Sequence, residues 1–165
     1  MKSILDGSER KLVEGSADYY YSVGQIEENK ENIQKAVEYY MKAISVDDKY
    51  ADAYVSLGGI LYDQGKYDLE IECYRKAVEI DPGKYENVYY LGTAYEDNQQ
   101  YDKAIEAYEK TLSIKPDHKD TLHDFAILSI AIRDCNRARK LMSKLTELDK
   151  GQARKLELIR RAACP

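Results

Sequence analysis

The sequence predicts an all-α fold built from repeated antiparallel helix pairs. Three observations carry this: residue types recur with a period of 34 along most of the chain, each unit holds two stretches with apolar residues at helical spacing, and no segment alternates with period two.

The period is read in columns. Gly24, Gly58 and Gly92 fall 34 residues apart and Ala126 continues the series; one residue earlier stand Val23, Leu57, Leu91 and Phe125. Three residues further back are Tyr20, Tyr54, Val88 and Leu122. Later in each unit come Ala36, Glu70, Ala104 and Ala138, then Tyr40, Tyr74, Tyr108 and Met142, then Ala43, Ala77, Thr111 and Leu145. Pro82 and Pro116 are again 34 apart. So many columns at one period mark an internal repeat.

Within a unit the two helices can be placed from the residues. In Ala51–Gln64 the apolar positions Tyr54, Leu57, Ile60 and Leu61 share a face, and Gly65 suits the left-handed conformation that ends a helix. A second helix over Tyr67–Ile80 presents Ile71, Tyr74, Ala77 and Val78, and Asp81-Pro82-Gly83 stops it because proline cannot continue the hydrogen-bond ladder. The unit Tyr85–His118 repeats the plan. Glycine inside a helix costs ~1 kcal/mol relative to alanine, so its periodic placement calls for a packing reason. Gly58 against Ala77 and Gly92 against Ala104 are the close contacts expected, with Tyr74 and Tyr108 filling the space between helix pairs.

These columns resemble the tetratricopeptide repeat: a large residue, Leu-Gly, a tyrosine, then alanine, an aromatic, alanine and proline over 34 residues. Units 51–84 and 85–118 match well, and 17–50 matches without its closing proline. The fourth, 119–151, is degenerate and keeps Leu122, Phe125, Ala126 and Ala138. The resemblance implies an all-α, right-handed superhelical solenoid of antiparallel helix pairs, closed by a capping helix and tail over 152–165. Residues 1–16 form a leader, either disordered or a short helix. Glu70 departs from the pattern, standing where the family has alanine, which implies a small rotation of helix packing in that unit.

Composition excludes several functions. The net charge is −5, from 30 acidic and 25 basic side chains, a poor match for nucleic acid or an anionic membrane. No run approaches the ~18 apolar residues of a membrane span, and Met1–Arg10 lacks a signal-peptide core. Three widely spaced cysteines, Cys73, Cys135 and Cys164, suggest no disulfide framework and so a reducing, cytoplasmic setting. Cys135 shares its column with Ile33, Tyr67 and Tyr101 and is expected to be a buried core thiol. His118 and His123 have no third ligand at metal spacing, and no glycine-rich phosphate loop or nucleophile–base arrangement is present. No catalysis, metal or cofactor is expected. The sixteen tyrosines, against one phenylalanine and no tryptophan, are mostly repeat-column residues.

The resemblance further implies a protein- or peptide-binding role, with the first helices of the repeats lining a concave groove. The groove residues it assigns include Asp18, Tyr21 and Gln25, then Asp52, Ser56, Tyr62 and Asp63. The third unit supplies Glu86, Tyr89, Tyr90, Thr93, Glu96 and Asp97, and the fourth Asp120, His123 and Asp124. With Glu28, nine of the 24 groove positions are acidic and none is lysine or arginine, where composition alone supplies roughly four of each. Acidic residues also favour helix starts, which is the bland account of part of this skew. The lysine–asparagine–arginine clamp with which family members hold acidic chaperone tails is replaced here by Tyr21, Gln25, Ser56, Glu86 and Tyr90, which disfavours that ligand. Carboxylates among tyrosines suit a basic peptide segment instead. From Arg133 to Arg161 the sign reverses, with ten basic residues and four acidic, a polarity that fits a solvated face, head-to-tail self-association or, as a third reading that the scarcity of aromatics there disfavours, nucleic-acid contact. The expected role is an adaptor or assembly scaffold. Alternatives are a scaffold assembling through its ends, or a non-catalytic regulatory subunit of an enzyme complex.

Overall fold

A computed structural model describes residues 13–164. Among the described residues there are nine helices and no strand: α1 Ala17–Asn29, α2 Ile33–Val46, α3 Ala51–Asp63, α4 Tyr67–Ile80, α5 Tyr85–Asp97, α6 Tyr101–Ile114, α7 Lys119–Ala131, α8 Cys135–Leu148 and α9 Lys150–Ala163. Two compact units divide at Pro82 and Gly83, so α1–α4 belong to the first and α5–α9 to the second. Of the leader, residues 1–12 lie outside the described part. Ser16 caps α1, its hydroxyl accepting from the Tyr19 amide at 3.1 Å. Asp134 and Asp149 cap α8 and α9 in the same way, at 3.0 Å from the amides of Arg137 and Gln152.

The turns inside the helix pairs share one backbone solution. Glu31, Gly65, Gln99 and Arg133 all take positive φ, at 62°, 68°, 58° and 62°. Only Gly65 has no Cβ to oppose that conformation. The left-handed residue lets the chain reverse within a few positions and lay the second helix of each pair against the first.

The glycine column meets the tyrosine column. A Cβ placed on Gly24, Gly58 or Gly92 would lie 2.5, 2.6 or 2.8 Å from Cε1 of Tyr40, Tyr74 or Tyr108. The expected Gly–Ala contacts are therefore corrected: each glycine is empty to admit the ring of its own pair, because a ring lying flat on a helix needs backbone where a side chain would stand. In the fourth pair both partners change together. Ala126 replaces glycine and the slimmer Met142 replaces tyrosine, and both are buried.

In unit 1 the core gathers Ala17, Ala36, Tyr40, Ala43, Ala53 and Ile60. In unit 2 it runs from Ala104 and Tyr108 through Leu122, Phe125 and Leu128 to Met142, Leu145, Ala153 and Leu156. The final helix begins two residues earlier than the expected span, and through Ala153 and Leu156 it shares the core of α7 and α8. Glu70 is 2% exposed in the alanine column, so unit 1 holds a carboxylate where unit 2 has Ala104 and Ala138.

The cysteines overturn their reading. Cys135 and Cys164 form a disulfide with 5.6 Å between their Cα atoms. Cys135 is not a buried thiol: its column is a surface one, with Ile33, Tyr67 and Tyr101 exposed at 38%, 39% and 41%. Cys164 is the buried member, at 1%. The antiparallel hairpin of α8 and α9 brings the two together over a separation of 29 residues. With a disulfide present, the cysteines no longer argue for a reducing compartment. Cys73 keeps its thiol, and burial, with Glu72 and Glu70 nearby, pushes it up to about 11.

Candidate functional site

The sequence-assigned residues fall on the first helices, α1 and α3 in unit 1 and α5 and α7 in unit 2. On α1, Asp18 and Gln25 are exposed and Tyr21 is half-buried between Tyr40 and Tyr50, with ring centroids at 5.5 and 5.2 Å. Gln25 donates to the Tyr21 hydroxyl at 3.2 Å. On α3, Asp52 and Asp63 are exposed and Ser56 is half-buried, while Tyr62 turns towards Tyr67 with centroids 6.3 Å apart.

In unit 2 the assigned residues draw closer together. Tyr89 on α5 donates to Asp124 Oδ2 on α7 at 2.7 Å, and His123 Nδ1 lies 2.9 Å from the other oxygen of that carboxylate. Tyr90 packs at 5.7 Å from Tyr89, and Thr93 donates back to the Tyr90 carbonyl at 2.9 Å. Glu86 is half-buried at the start of α5, and Asp120 stands exposed near the start of α7, 3.9 Å from His118 Nε2. His118 itself sits between Tyr85 and Tyr89, at 4.9 and 5.1 Å, and pairs with the Thr121 hydroxyl at 2.7 Å.

A set of tyrosine–carboxylate pairs went unseen in the sequence. Tyr40 donates to Glu28, Tyr50 to Asp18 at 2.8 Å, and Tyr108 to Glu96 at 2.6 Å. Tyr40–Glu28 and Tyr108–Glu96 share one offset of twelve residues, a signal that comparison of the glutamate and tyrosine columns could have found. Each hydroxyl engages one oxygen and fixes the carboxylate's direction, leaving the second oxygen available to another donor. Burial pushes all four phenols, Tyr40, Tyr50, Tyr89 and Tyr108, above the usual tyrosine range, and the partner carboxylates add to it.

Burial first, and like charge after it, raise carboxyls on the unit 2 face. Burial raises the Glu96 carboxyl above its ordinary value, Asp124 and Asp97 push the same way, and the Tyr108 hydrogen bond offsets part of the shift. Asp97 is raised likewise by burial and then by Asp124. A cation arriving here would relieve that repulsion. Among the described residues no group of three His, Cys, Asp or Glu side chains is arranged to hold a metal ion.

The repeated helix pair with an aromatic seated on a glycine defines a class, and comparison with known proteins agrees with it. Residues 17–85 match the family model described as Tetratricopeptide repeat. Residues 63–145, half of the chain, match the model described as Regulator of microtubule dynamics protein 1-3. The chain belongs to the tetratricopeptide-repeat proteins, and the half-chain match places it in the group that the second model describes. None of the curated proteins matches it.

Among solved structures it is similar to MamA, with 25% identity and a TM-score of 0.75 over 84% of this chain and 81% of that one. It is similar in fold to YrrB, described as a TPR protein with an unusual peptide-binding site, at 16% identity and a TM-score of 0.74 over 90% and 87% of the two chains. A tetratricopeptide repeat protein from Parabacteroides merdae gives a TM-score of 0.81 at 19% identity, covering 88% of this chain and 59% of its own.

Proposed function

We propose that the chain is a non-catalytic adaptor or assembly scaffold whose first-helix faces bind a Lys/Arg-containing peptide segment of a partner protein. The observation that carries this is the gathering of Glu96, Asp97 and Asp124 on α5 and α7, where burial raises the Glu96 and Asp97 carboxyls and the Asp124 charge adds to both shifts. None of the groove positions is lysine or arginine, so no permanently charged cation among them neutralises these carboxylates. A ligand side chain carrying positive charge gains most where such repulsion already stands. The neighbouring Tyr89 and Tyr90 rings add faces on which a guanidinium or the apolar stem of a lysine can rest. The fold relation to YrrB, a peptide-binding repeat protein, supports a peptide as the ligand class.

The test is titration of fluorescent peptides, basic, acidic and apolar, against the whole chain across a salt series. Basic peptides are expected to bind with affinity falling as salt rises, because surface charge pairs are screened beyond ~8–10 Å at physiological ionic strength. Replacing Asp52, Glu86 and Asp120 together by lysine is expected to weaken that binding by at least about tenfold, equivalent to ~1.4 kcal/mol. Unchanged binding by the triple variant would sink the proposal.

A further inference from the structure

Unit 1 contains an apolar feature beside its carboxylate face. Between α2 and the α3–α4 turn lies a cavity of about 710 Å³, lined by Val37 and Met41 of α2 and by Leu57 and Leu61 of α3, with Glu28 and Asp63 at its edge and Lys66 the one cation. Met41 is 59% exposed there, and Leu69, on the neighbouring α4, is 51% exposed.

Unit 2 carries different side chains at the equivalent positions. Two repeats further along, Phe125 stands for Leu57, Glu109 for Met41 and Arg137 for Leu69. The Arg137 guanidinium lies 5.3 Å from the Phe125 ring and 3.9 Å from Glu109 Oε1, and Phe125 is 2% exposed. A larger ring and an ion pair thus stand in unit 2 where unit 1 has aliphatic side chains. A cavity of this size falls within the ~300–1,000 Å³ range of binding pockets, and its apolar walls are stabilised when an apolar group removes them from water.

The same chain carries a knob of matching character. Leu158 and Ile159 on α9 are 71% and 54% exposed, and no large apolar side chain among the described residues is more exposed than Leu158. Arg154 and Lys155, both exposed, stand one helical turn earlier on the same side of α9. An aliphatic pair flanked by cations complements an aliphatic hollow edged by Glu28 and Asp63, so burial and charge select the same occupant.

We infer that the unit 1 cavity receives Leu158 and Ile159 from α9 of a second copy of this chain. The contact is heterologous: one copy presents the hollow and the other the knob. Each added copy leaves one hollow and one knob free, so association continues head to tail.

The experiment measures mass against concentration by sedimentation velocity for the full chain, with Met41→Glu and Leu158→Glu as variants. Both positions are exposed, so the variants are expected to keep wild-type helicity, which circular dichroism checks. The wild type is expected to grow in mass with concentration, and each variant to need at least tenfold more protein for the same growth. An equimolar mixture of the two is the decisive arm. Leu158→Glu keeps its hollow and Met41→Glu keeps its knob, so the mixture is expected to form a one-to-one pair and stop there. A wild-type mass independent of concentration overturns the inference, as does unaltered association of either variant or a mixture that stays monomeric. An apolar ligand filling the cavity of a chain that remains monomeric overturns it too. Basic-peptide binding by the carboxylate faces is expected to survive in both variants, which separates this test from the one above.

Discussion

The Tyr89 hydroxyl on α5 donates a 2.7 Å hydrogen bond to Oδ2 of Asp124 on α7, tying together two first helices through residues 35 positions apart. His123 Nδ1 lies 2.9 Å from the other oxygen, so the carboxylate is oriented from both sides. The pair therefore links the two helices and stands on the face proposed to bind a basic segment.

Removing that hydroxyl is expected to have a pH signature. The Tyr89 phenol is raised by burial, then by its bond to Asp124, and Tyr40, Tyr50 and Tyr108 are raised for the same two reasons. In the unfolded chain these phenols ionise near the ordinary value of about 10. A group whose folded value is raised contributes stability fully below that pH and loses it as pH climbs towards the folded value. The protein is thus expected to resist urea equally up to roughly pH 9 and to weaken progressively above pH 10. Tyr89→Phe is expected to lose about 1 kcal/mol at neutral pH and to show a shallower alkaline decline. A decline as steep as the wild type's would remove Tyr89 from this account.

The glycine–tyrosine seat predicts a coupled pair. Gly58→Ala places a methyl group 2.6 Å from Tyr74 Cε1, closer than real contacts allow. Overpacking of this kind costs ~1–3 kcal/mol, read as a lowered denaturant midpoint. The fourth helix pair shows the compensation, with buried Ala126 in the glycine column and the slimmer, buried Met142 in the tyrosine column. Adding Tyr74→Met to Gly58→Ala is therefore expected to cost less than the two single changes summed. Additivity within about 0.3 kcal/mol would mean that ring and glycine are independent.

The turn column gives a prediction of opposite sign. Gln99 takes φ of 58° where the corresponding turn of the second pair has Gly65 at 68°. A left-handed conformation costs a residue with a Cβ ~1–2 kcal/mol, partly offset by glycine's greater freedom in the unfolded chain. Gln99→Gly is expected to stabilise by about 0.5–1 kcal/mol, and Gly65→Ala to destabilise by a similar amount, both measurable as shifts in urea midpoint. A destabilised Gln99→Gly would show that the glutamine side chain contributes more than its backbone strain costs.

These three cases show what the sequence could reveal. The repeat period announced the helix pairs because Gly24, Gly58 and Gly92 stand in one column, and the tyrosines facing them stand in another. What the columns meant for packing was less legible, since periodicity says which positions are equivalent but not which ones touch. The left-handed turn was visible only where glycine marked it, at Gly65; Glu31, Gln99 and Arg133 adopt it without a compositional sign. In the carboxylate faces, residue identity was readable but hydroxyl pairing was not, because Tyr50–Asp18 and Tyr89–Asp124 depend on how successive helices are rotated. The cysteines were least legible of all: the half-buried placement of Cys135 and the burial of Cys164 follow from the α8–α9 hairpin and from no motif.

That hairpin yields the last prediction. The Cys135–Cys164 bond closes a loop over a separation of 29 residues and holds the end of α9 against the start of α8. Cross-linking a loop of this length restricts the unfolded chain by roughly 3–4 kcal/mol in the chain-entropy model, and native disulfides commonly contribute ~2–4 kcal/mol. Reduction with a dithiol, or a Cys135→Ser/Cys164→Ser variant, is expected to lower the stability of unit 2 by that order. The loss should not be spread evenly over the chain. Ala153 and Leu156 of α9 lie in one core with Phe125, Leu128 and Leu145, so freeing α9 uncovers apolar surface on α7 and α8. Amide hydrogen exchange is therefore expected to accelerate in α9 first and in α7 and α8 next, while α1–α4 exchange at unchanged rates. Dye binding to exposed apolar surface should rise in parallel. If α9 keeps its protection when the bond is reduced, the burial of Ala153 and Leu156 is sufficient to hold it, and the disulfide adds nothing to a helix already seated by its core.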